Sequence, residues 1–440
     1  MPETVGVYEL TVFSVMVAAF FISAFAIKLP IGISMAIGAI AGIVAGGHLF
    51  PLDEAVRHLV EGMFAYFDPI LIIAAATIFM FSMERNGLLQ VLTSWTLRTF
   101  NRAPFVLLAA ITVIIMFPGM LTGSSTAAVL TTGALMAPVL MHMGVPREKA
   151  GAIIAMAALF GMAAPPVNIP ALIIGAGVDL PYVGLDLPLL ALSLPIALAT
   201  TWALAMPHMD KAATAESARQ VEAGPAARHG AKLFLPLIVV AVLMIGERVY
   251  PEYIQLGLPL IFLIGMGVAL LTGEKVSVHK VSADAMKAAL PILGILMGVG
   301  MFIQVMTLTG ARGEVVIQSL QLPRGWTGLY PVIGTTMPLM GSVSSFGAAS
   351  VLGVPFVLAL PTGPEEIIMN AAALSSIVAV GDLMPPTALA GIFAAQVVGE
   401  KKYIRVLRWC IIPGIIAVVQ GLLAIQFAPV LAQYLVRIGG

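Results

Sequence analysis

Segments long and apolar enough to cross a bilayer follow one another from residue 10 to residue 428. About 20 apolar residues span the hydrocarbon core as a helix, which pairs its own backbone groups there. Hydrophobic residues make up 60% of the chain and charged ones 10%, whereas soluble domains carry about 25% charged residues. This composition excludes soluble, disordered and nucleic-acid-binding proteins. We predict an all-α polytopic membrane protein with single spans at 10–27, 31–50, 69–83, 150–178, 187–207, 233–246, 256–271, 288–308, 366–398 and 409–428.

Two further apolar blocks, 104–142 and 327–361, are too long for one crossing and contain glycine-rich breaks. We predict that each is a re-entrant helical hairpin, which enters and leaves the membrane by the same face. With this layout, 17 of the 22 Lys and Arg residues lie on one face. The positive-inside rule makes that face cytoplasmic and places both termini on the opposite face.

The most polar stretch, residues 208–232, divides the chain almost at its midpoint and reads as a cytoplasmic linker. The halves, 1–207 and 233–440, start on opposite faces in this layout and repeat the same order of parts. Such an order predicts an inverted-topology repeat. The predicted parts are scaffold spans (10–100 and 233–308), a hairpin (104–142 and 327–361), a broken helix (150–178 and 366–398) and a last span (187–207 and 409–428).

Each half carries a Ser/Gly-rich hairpin tip and, further on, a proline pair inside an apolar span. The interval from Ser124 to Pro165 is 41 residues, as is the interval from Ser344 to Pro385. A proline pair removes two amide donors and breaks a membrane helix, and unwound backbone survives there only inside protein or beside a wet cavity. The positive N-terminal ends of half-helices attract anions, while hydroxyl and carbonyl oxygens are suitable ligands for Na⁺. We therefore expect the transport site at the tips and breaks.

Asp382 is the one acidic side chain predicted well inside the membrane. An intramembrane carboxylate is a candidate functional group, and Asp382 could bind Na⁺, carry a proton or accept hydrogen bonds from local amides.

The sequence has no nucleophile elbow, zinc-protease or phosphate-loop motif, so we expect no enzyme. The single cysteine and six scattered histidines predict no disulfide, metal centre or cofactor beyond Na⁺ as coupling ion.

Several ordered motifs resemble those of the large membrane subunit of tripartite ATP-independent periplasmic (TRAP) transporters, within the wider ion-transporter superfamily. They comprise the run from Lys28 to Ala36, the run from Phe117 to Ala128, the run from Phe160 to Pro170 and the run from Gly381 to Leu389. The resemblance covers nearly the whole chain. It implies an elevator-type importer of a small organic anion, a carboxylate such as a C4-dicarboxylate or sugar acid. It also implies a place in the bacterial inner membrane, with both termini in the periplasm. The partners it implies are a small membrane subunit and a periplasmic substrate-binding protein.

The resemblance further implies two Na⁺ sites with substrate between them. The first would use Gly123, Ser124, Ser125, Gly161 and Pro165, and the second Gly341, Ser344, Ser345, Gly381 and Pro385; Thr126, Asn168 and Thr387 would face the substrate. The alternative is a stand-alone symporter or exchanger of the same superfamily, with proton coupling through Asp382. A passive channel is disfavoured because no rings of charge are evident.

Overall fold

The computed structural model describes residues 3–210, 230–250, 252–253, 255–274, 276–360 and 363–436, without the side chains of residues 3–5 and 248. All regular secondary structure in these ranges is helical, and nine of the described helices are long and apolar enough to span a membrane. Three shorter apolar helices accompany them. The prediction of an all-helical polytopic membrane protein is confirmed. Most of the predicted linker, residues 211–229, lies outside the described residues.

In the first half, five helical segments precede the first hairpin: Glu3–Phe21 (continuing through Ile22–Ala26), Ile31–Ala45, Leu52–Phe64, Phe67–Arg85 and Leu88–Phe100. The arms of the first hairpin are Pro104–Thr122 and Ser125–His142. The Thr132 hydroxyl of the second arm donates to the Ile115 carbonyl of the first, so the arms pack side by side. The first broken helix, Arg147–Ala163 with Ile169–Ala176, and the helix Asp186–Ala205 follow.

In the second half, the helices before the second hairpin are Leu235–Val249, Gly257–Thr272, Val278–Leu308 and Ala311–Gln321. The second hairpin comprises Leu329–Gly341 and Ser345–Ala359, and the second broken helix comprises Pro364–Ala379, a turn at Val380–Leu383 and Leu389–Val397. Tyr403–Gln426 and Ala428–Leu435 complete the chain. Val278–Leu308 begins before the expected 288 because its first turns are polar, capped by Ser277 and carrying Lys280 and Asp284.

Glycine contacts hold the helices outside the hairpins together. The helix Val278–Leu308 packs against Ile31–Ala45 and Leu52–Phe64. A Cβ on Gly62 would lie 2.7 Å from the Gly300 carbonyl oxygen, so the two backbones touch without intervening side chains. Small residues allow this close approach, on which helix association in membranes depends. A Cβ on Gly300 would also lie 3.1 Å from Tyr66 Cδ2, so Tyr66 packs against Val278–Leu308 beside this contact.

The first parts of the two broken helices form the centre of the molecule. Arg147–Ala163 is buried continuously from Ala150 to Ala163, and Pro364–Ala379 is buried continuously from Met369 to Ala379. The first hairpin packs against Arg147–Ala163 and the second against Pro364–Ala379. The fold therefore brings each hairpin tip to the break of its own half.

Candidate ion and substrate site at the two helix breaks

The two hairpin tips have the same local structure. Ser124 begins the helix Ser125–Ala128 and accepts a hydrogen bond from the Ala127 amide at 3.3 Å. Ser344 begins Ser345–Ala348 and accepts one from the Gly347 amide at 3.1 Å. Serine suits this position because its oxygen satisfies an amide that the first helical turn leaves unpaired. Both serines are therefore N-caps, and the residue after each one begins a helix whose positive end lies at the tip.

Both broken helices stop just before their proline pairs. The Pro165–Pro166 and Pro385–Pro386 peptide bonds are both cis. After the first pair, Asn168 caps the half-helix Ile169–Ala176, whereas Ala388 begins Leu389–Val397 in the left-handed region at φ 40° without a side-chain cap. The first break is largely buried, while Pro385 and Pro386 are exposed. Both breaks thus contain a cis proline pair, but only the second pair is exposed to solvent.

In the first half, the tip packs directly on the break. A Cβ on Gly119 would lie 2.9 Å from the Gly161 carbonyl carbon, so backbone meets backbone there. The Val167 amide, just after the proline pair, donates to the Met120 carbonyl at 3.0 Å. Gly123 has a φ of 62°, and a Cβ there would lie 3.3 Å from the Val167 carbonyl oxygen. The hairpin and the break expected to form the first Na⁺ site are neighbours.

The second half repeats this contact with different atoms. A Cβ on Gly341 would lie 2.6 Å from the Val378 carbonyl oxygen and 3.3 Å from the Gly381 Cα. The Thr387 hydroxyl, after the proline pair, donates to the Ser342 carbonyl at 2.5 Å. The hairpin and break of the second expected Na⁺ site therefore also meet. The Thr387 hydroxyl therefore already donates to the second hairpin. Thr126, which we expect to face the substrate, is half-buried at the first tip.

Asp382 connects the two tips. Its carboxylate accepts a 2.7 Å hydrogen bond from the Ser125 hydroxyl of the first hairpin. The Ser345 hydroxyl of the second hairpin faces the same carboxyl group. The Asp382 side chain is only 7% exposed. The sequence identified this carboxylate as a coupling candidate, but the structure supplies its partners, which are equivalent serines from opposite halves.

Asn168 links the first break to the second half. Its Oδ1 accepts from the Ala171 amide at 2.9 Å, and its Nδ2 donates to the Ala163 carbonyl at 2.8 Å and to Ser375 Oγ at 3.1 Å. The backbone N–H of Asn168 donates to the Tyr182 hydroxyl at 3.0 Å. Burial raises the pKa of Tyr182, so this phenol stays protonated at neutral pH. A substrate contact by the Asn168 side chain would have to replace one of these bonds.

Ser375 and Tyr182 were missed in the sequence. Ser375 lies 207 positions from Asn168, so spacing along the chain gave no reason to pair them. The available signal was the Ser375–Ser376 pair within an otherwise apolar helix. Tyr182 lies in a loop between helices and carried no motif.

A cavity of about 1180 Å³ reaches the first break. Its lining includes Pro165, Pro166 and Leu172, together with residues from Phe67–Arg85 and from the second half. Its volume is sufficient for a small organic molecule. Its described lining contains four carboxylates and no Lys or Arg; the carboxylates are Asp68, Asp179, Asp186 and Glu247. A cavity of this charge attracts cations and disfavours anions.

The groups at the tips and breaks match the preference of Na⁺ for oxygen. Ser125, Ser345 and Asp382 bring two hydroxyls and a carboxylate together. The helix Arg147–Ala163 ends beside the first tip and directs its last carbonyls towards the break. In membrane proteins with broken helices, carbonyls at the C-terminal end of a half-helix commonly coordinate Na⁺. The residues present therefore fit an alkali cation.

Broken membrane helices facing Ser/Gly hairpin tips around buried polar groups are typical of secondary transporters. The family model for the DctM component of the tripartite ATP-independent periplasmic transporters matches residues 18–431. The chain therefore belongs to that family, as its motifs suggested. No curated protein matches the chain significantly.

Among solved structures, the fold is similar to the crystal structure of the Alcanivorax borkumensis YdaH transporter, which is described as having an unusual topology. The match has a TM-score of 0.60 and 15% sequence identity, and it covers 86% of this chain and 89% of that one. At this identity the likeness concerns the fold alone.

Proposed function

We propose that this chain is the large subunit of a TRAP system that imports a small organic anion across the bacterial inner membrane with Na⁺. The observation that carries the proposal is the packing of each hairpin tip on the proline break of its own half. Membership of the DctM family makes the chain a component of a secondary transporter. The anion would be a carboxylate such as a C4-dicarboxylate or sugar acid.

In this proposal each tip and its break hold one Na⁺. The first site uses Gly123, Ser124, Ser125, Gly161 and Pro165, and the second uses Gly341, Ser344, Ser345, Gly381 and Pro385. The substrate lies between them, near Thr126, Asn168 and Thr387. The helix N-termini at the tips would attract its negative charge. The described residues of the site include no Lys or Arg, so hydroxyl groups and helix N-termini would bind the anion.

The proposed movement is that of an elevator with inverted repeats. The hairpins, the broken helices and the last spans would move together against the remaining helices. The site residues lie on the proposed moving unit, so they would travel with substrate and ion. Both termini would be periplasmic and the linker cytoplasmic, as the distribution of basic residues indicates.

DctM-family subunits generally work with a small membrane subunit and a periplasmic binding protein. We propose the same partners here, with the binding protein delivering substrate to the periplasmic face. The acidic cavity at the first break suits the entry of Na⁺ rather than free entry of an anion. Delivery of the anion by a binding protein is consistent with that charge.

Uptake into proteoliposomes containing the complete system tests the proposal. Replacing external Na⁺ by choline should abolish accumulation of labelled substrate, because the tips and breaks would then lack their cation. Unchanged accumulation in choline would refute Na⁺ coupling.

A second candidate is a stand-alone symporter or exchanger, with proton coupling through Asp382. The observation in its favour is that one carboxylate joins both hairpin tips. Transport by the purified single chain, without a small subunit or binding protein, would support this function. Na⁺-dependent transport that requires all three components would exclude it.

A further inference from the structure

Basic side chains from three separate segments meet at the start of the first broken helix. Lys149 Nζ lies 2.7 Å from His208 Nε2 and 4.2 Å from the ring centre of Trp409. The Arg408 guanidinium lies 5.6 Å from the same ring centre. The helices that carry these residues pack closely, since a Cβ on Gly151 would lie 2.9 Å from Val406 Cγ2. The arrangement, here called the basic pocket, consists of Lys149, His208, Arg408 and Trp409.

The basic pocket carries positive charge, and its one side-chain acceptor, His208 Nε2, already faces Lys149 Nζ. The Trp409 Nε1 atom is buried and has no hydrogen-bond partner. Among the described residues no ion pair involves Lys149 or Arg408, and the nearby Glu400 pairs with Arg405 at 3.6 Å. A buried donor without an acceptor is costly, and two cations beside one ring repel each other. Both costs disappear if an anion binds here.

Two helix N-termini add to the positive field. Arg147–Ala163 begins after Pro146 and Tyr403–Gln426 begins after Lys402, and neither N-cap provides a side-chain hydrogen bond. The positive end of a helix dipole stabilises anions and destabilises the basic residues found here. The first turn of Arg147–Ala163 carries Glu148, but the first turn of Tyr403–Gln426 has no acidic residue, so an external anion would supply the negative charge at the second helix.

The surface beside the basic pocket is apolar and exposed. Ile404, Ile411 and Ile415 are 64%, 57% and 58% exposed, and they share one helix face with Arg408 because they are spaced at helical intervals. A lipid tail could lie along this stripe while its headgroup reaches the pocket. A free phosphate ion has no apolar part that could pack on this surface.

We propose that the basic pocket binds the phosphate of an anionic phospholipid in the leaflet that the charge distribution makes cytoplasmic. Lys149 and Arg408 would pair with the phosphate, and Trp409 Nε1 would donate to it. Basic pockets between membrane helices on that side recognise acidic headgroups, and tryptophan favours headgroup depth. The proposal does not depend on the transported substrate.

Native mass spectrometry of the full chain with added phosphatidylglycerol or phosphatidylcholine tests the proposal. We expect phosphatidylglycerol to bind more tightly. Lys149→Gln with Arg408→Gln should weaken its binding about thirty-fold, since each basic residue near a membrane surface contributes about 1 kcal/mol. Trp409→Phe keeps the ring and removes only the donor, so it should weaken binding by a smaller factor without loss of folding.

The matched control is Lys280→Gln with Lys287→Gln, which removes the same charge from the same predicted face, away from Trp409. It should leave phosphatidylglycerol binding unchanged. Equal losses in both double variants would show general surface attraction and overturn the proposal. Equal binding of the two lipids would also overturn it, as would displacement of phosphatidylglycerol by millimolar inorganic phosphate, which would indicate a soluble phosphate.

Discussion

Ser125 of the first hairpin donates a 2.7 Å hydrogen bond to Asp382 of the second broken helix, 257 positions along the chain. An intramolecular hydrogen bond contributes about 0.5–1.5 kcal/mol net, and more when one partner is charged, so the contact stabilises the packing of the two halves. Because Ser345 faces the same carboxyl group, Asp382 contacts both hairpin tips.

Ser125→Ala should therefore lower the apparent Na⁺ affinity of transport about ten-fold, from the loss of roughly 1.5 kcal/mol of this interaction. The measurement is the Na⁺ concentration for half-maximal uptake in proteoliposomes. Ser193→Ala, whose hydroxyl bonds only within its own helix, should leave that concentration unchanged. If both variants behave like the parent protein, the Ser125–Asp382 contact has no part in ion binding.

Gly161→Ala should destabilise the protein by about 1–3 kcal/mol, the usual cost of overpacking. A Cβ at Gly161 would lie 2.8 Å from the Met116 Cα, a backbone atom that cannot move aside as a side chain can. The thermal unfolding midpoint in detergent measures the effect. The control is Gly267→Ala, where no atom lies within 4 Å of the added Cβ and helix propensity favours alanine. Equal midpoints for the two variants would contradict close packing at the first break.

These contacts show what the sequence could and could not provide. Helix existence followed from apolar length, and the tips and breaks followed from Gly, Ser and Pro, because the backbone chemistry of these residues is local. The partners of Asp382 and Asn168 depend on how the two halves pack, which no spacing reports. The helix Val278–Leu308 begins before the predicted span 288–308 because its polar first turns extend beyond the apolar stretch.

Asn168→Ala should destabilise the protein by about 2 kcal/mol or more. Loss of the cap on Ile169–Ala176 alone costs about 0.5–2 kcal/mol, and the Ala163 carbonyl and Ser375 hydroxyl would lose a donor as well. Asn168→Asp keeps the capping oxygen but removes the amide donor, so it should lose the bonds to Ala163 and Ser375 and retain the cap. Thermal unfolding of both variants separates these contributions. If alanine is as stable as asparagine, the network around Asn168 does not hold the first break.

The acidic cavity predicts a salt-dependent effect on Na⁺ supply. Asp179→Asn with Glu247→Gln removes two of its four carboxylates. The apparent Na⁺ affinity at low ionic strength should fall several-fold and the difference should shrink at high salt, because screening weakens exposed charges. Glu252→Gln with Glu274→Gln, an equal change of charge away from the cavity lining, is the control. A loss that persists at high salt would indicate direct binding rather than attraction.

Two residues from outside the proposed moving unit hold the half-helix Ile169–Ala176 by its last turn. The Tyr66 hydroxyl donates to the Ile173 carbonyl at 3.3 Å, and the Arg312 guanidinium donates to the Gly177 carbonyl. A cation at a helix C-terminus is stabilising, typically by about 0.3–1 kcal/mol. Both bonds would have to break if the half-helix moves as an elevator requires.

Tyr66→Phe with Arg312→Gln should therefore reduce the population of the present conformation, about ten-fold for a loss of roughly 1.4 kcal/mol. Val183 lines the cavity and is 63% exposed, so Val183→Cys reports this conformation by its labelling rate with a charged maleimide. Background labelling should be low because Cys410 is buried. We expect slower labelling in the Tyr66/Arg312 variant and an unchanged rate with Arg324→Gln. Equal rates in all three backgrounds would show that these bonds do not restrain the half-helix.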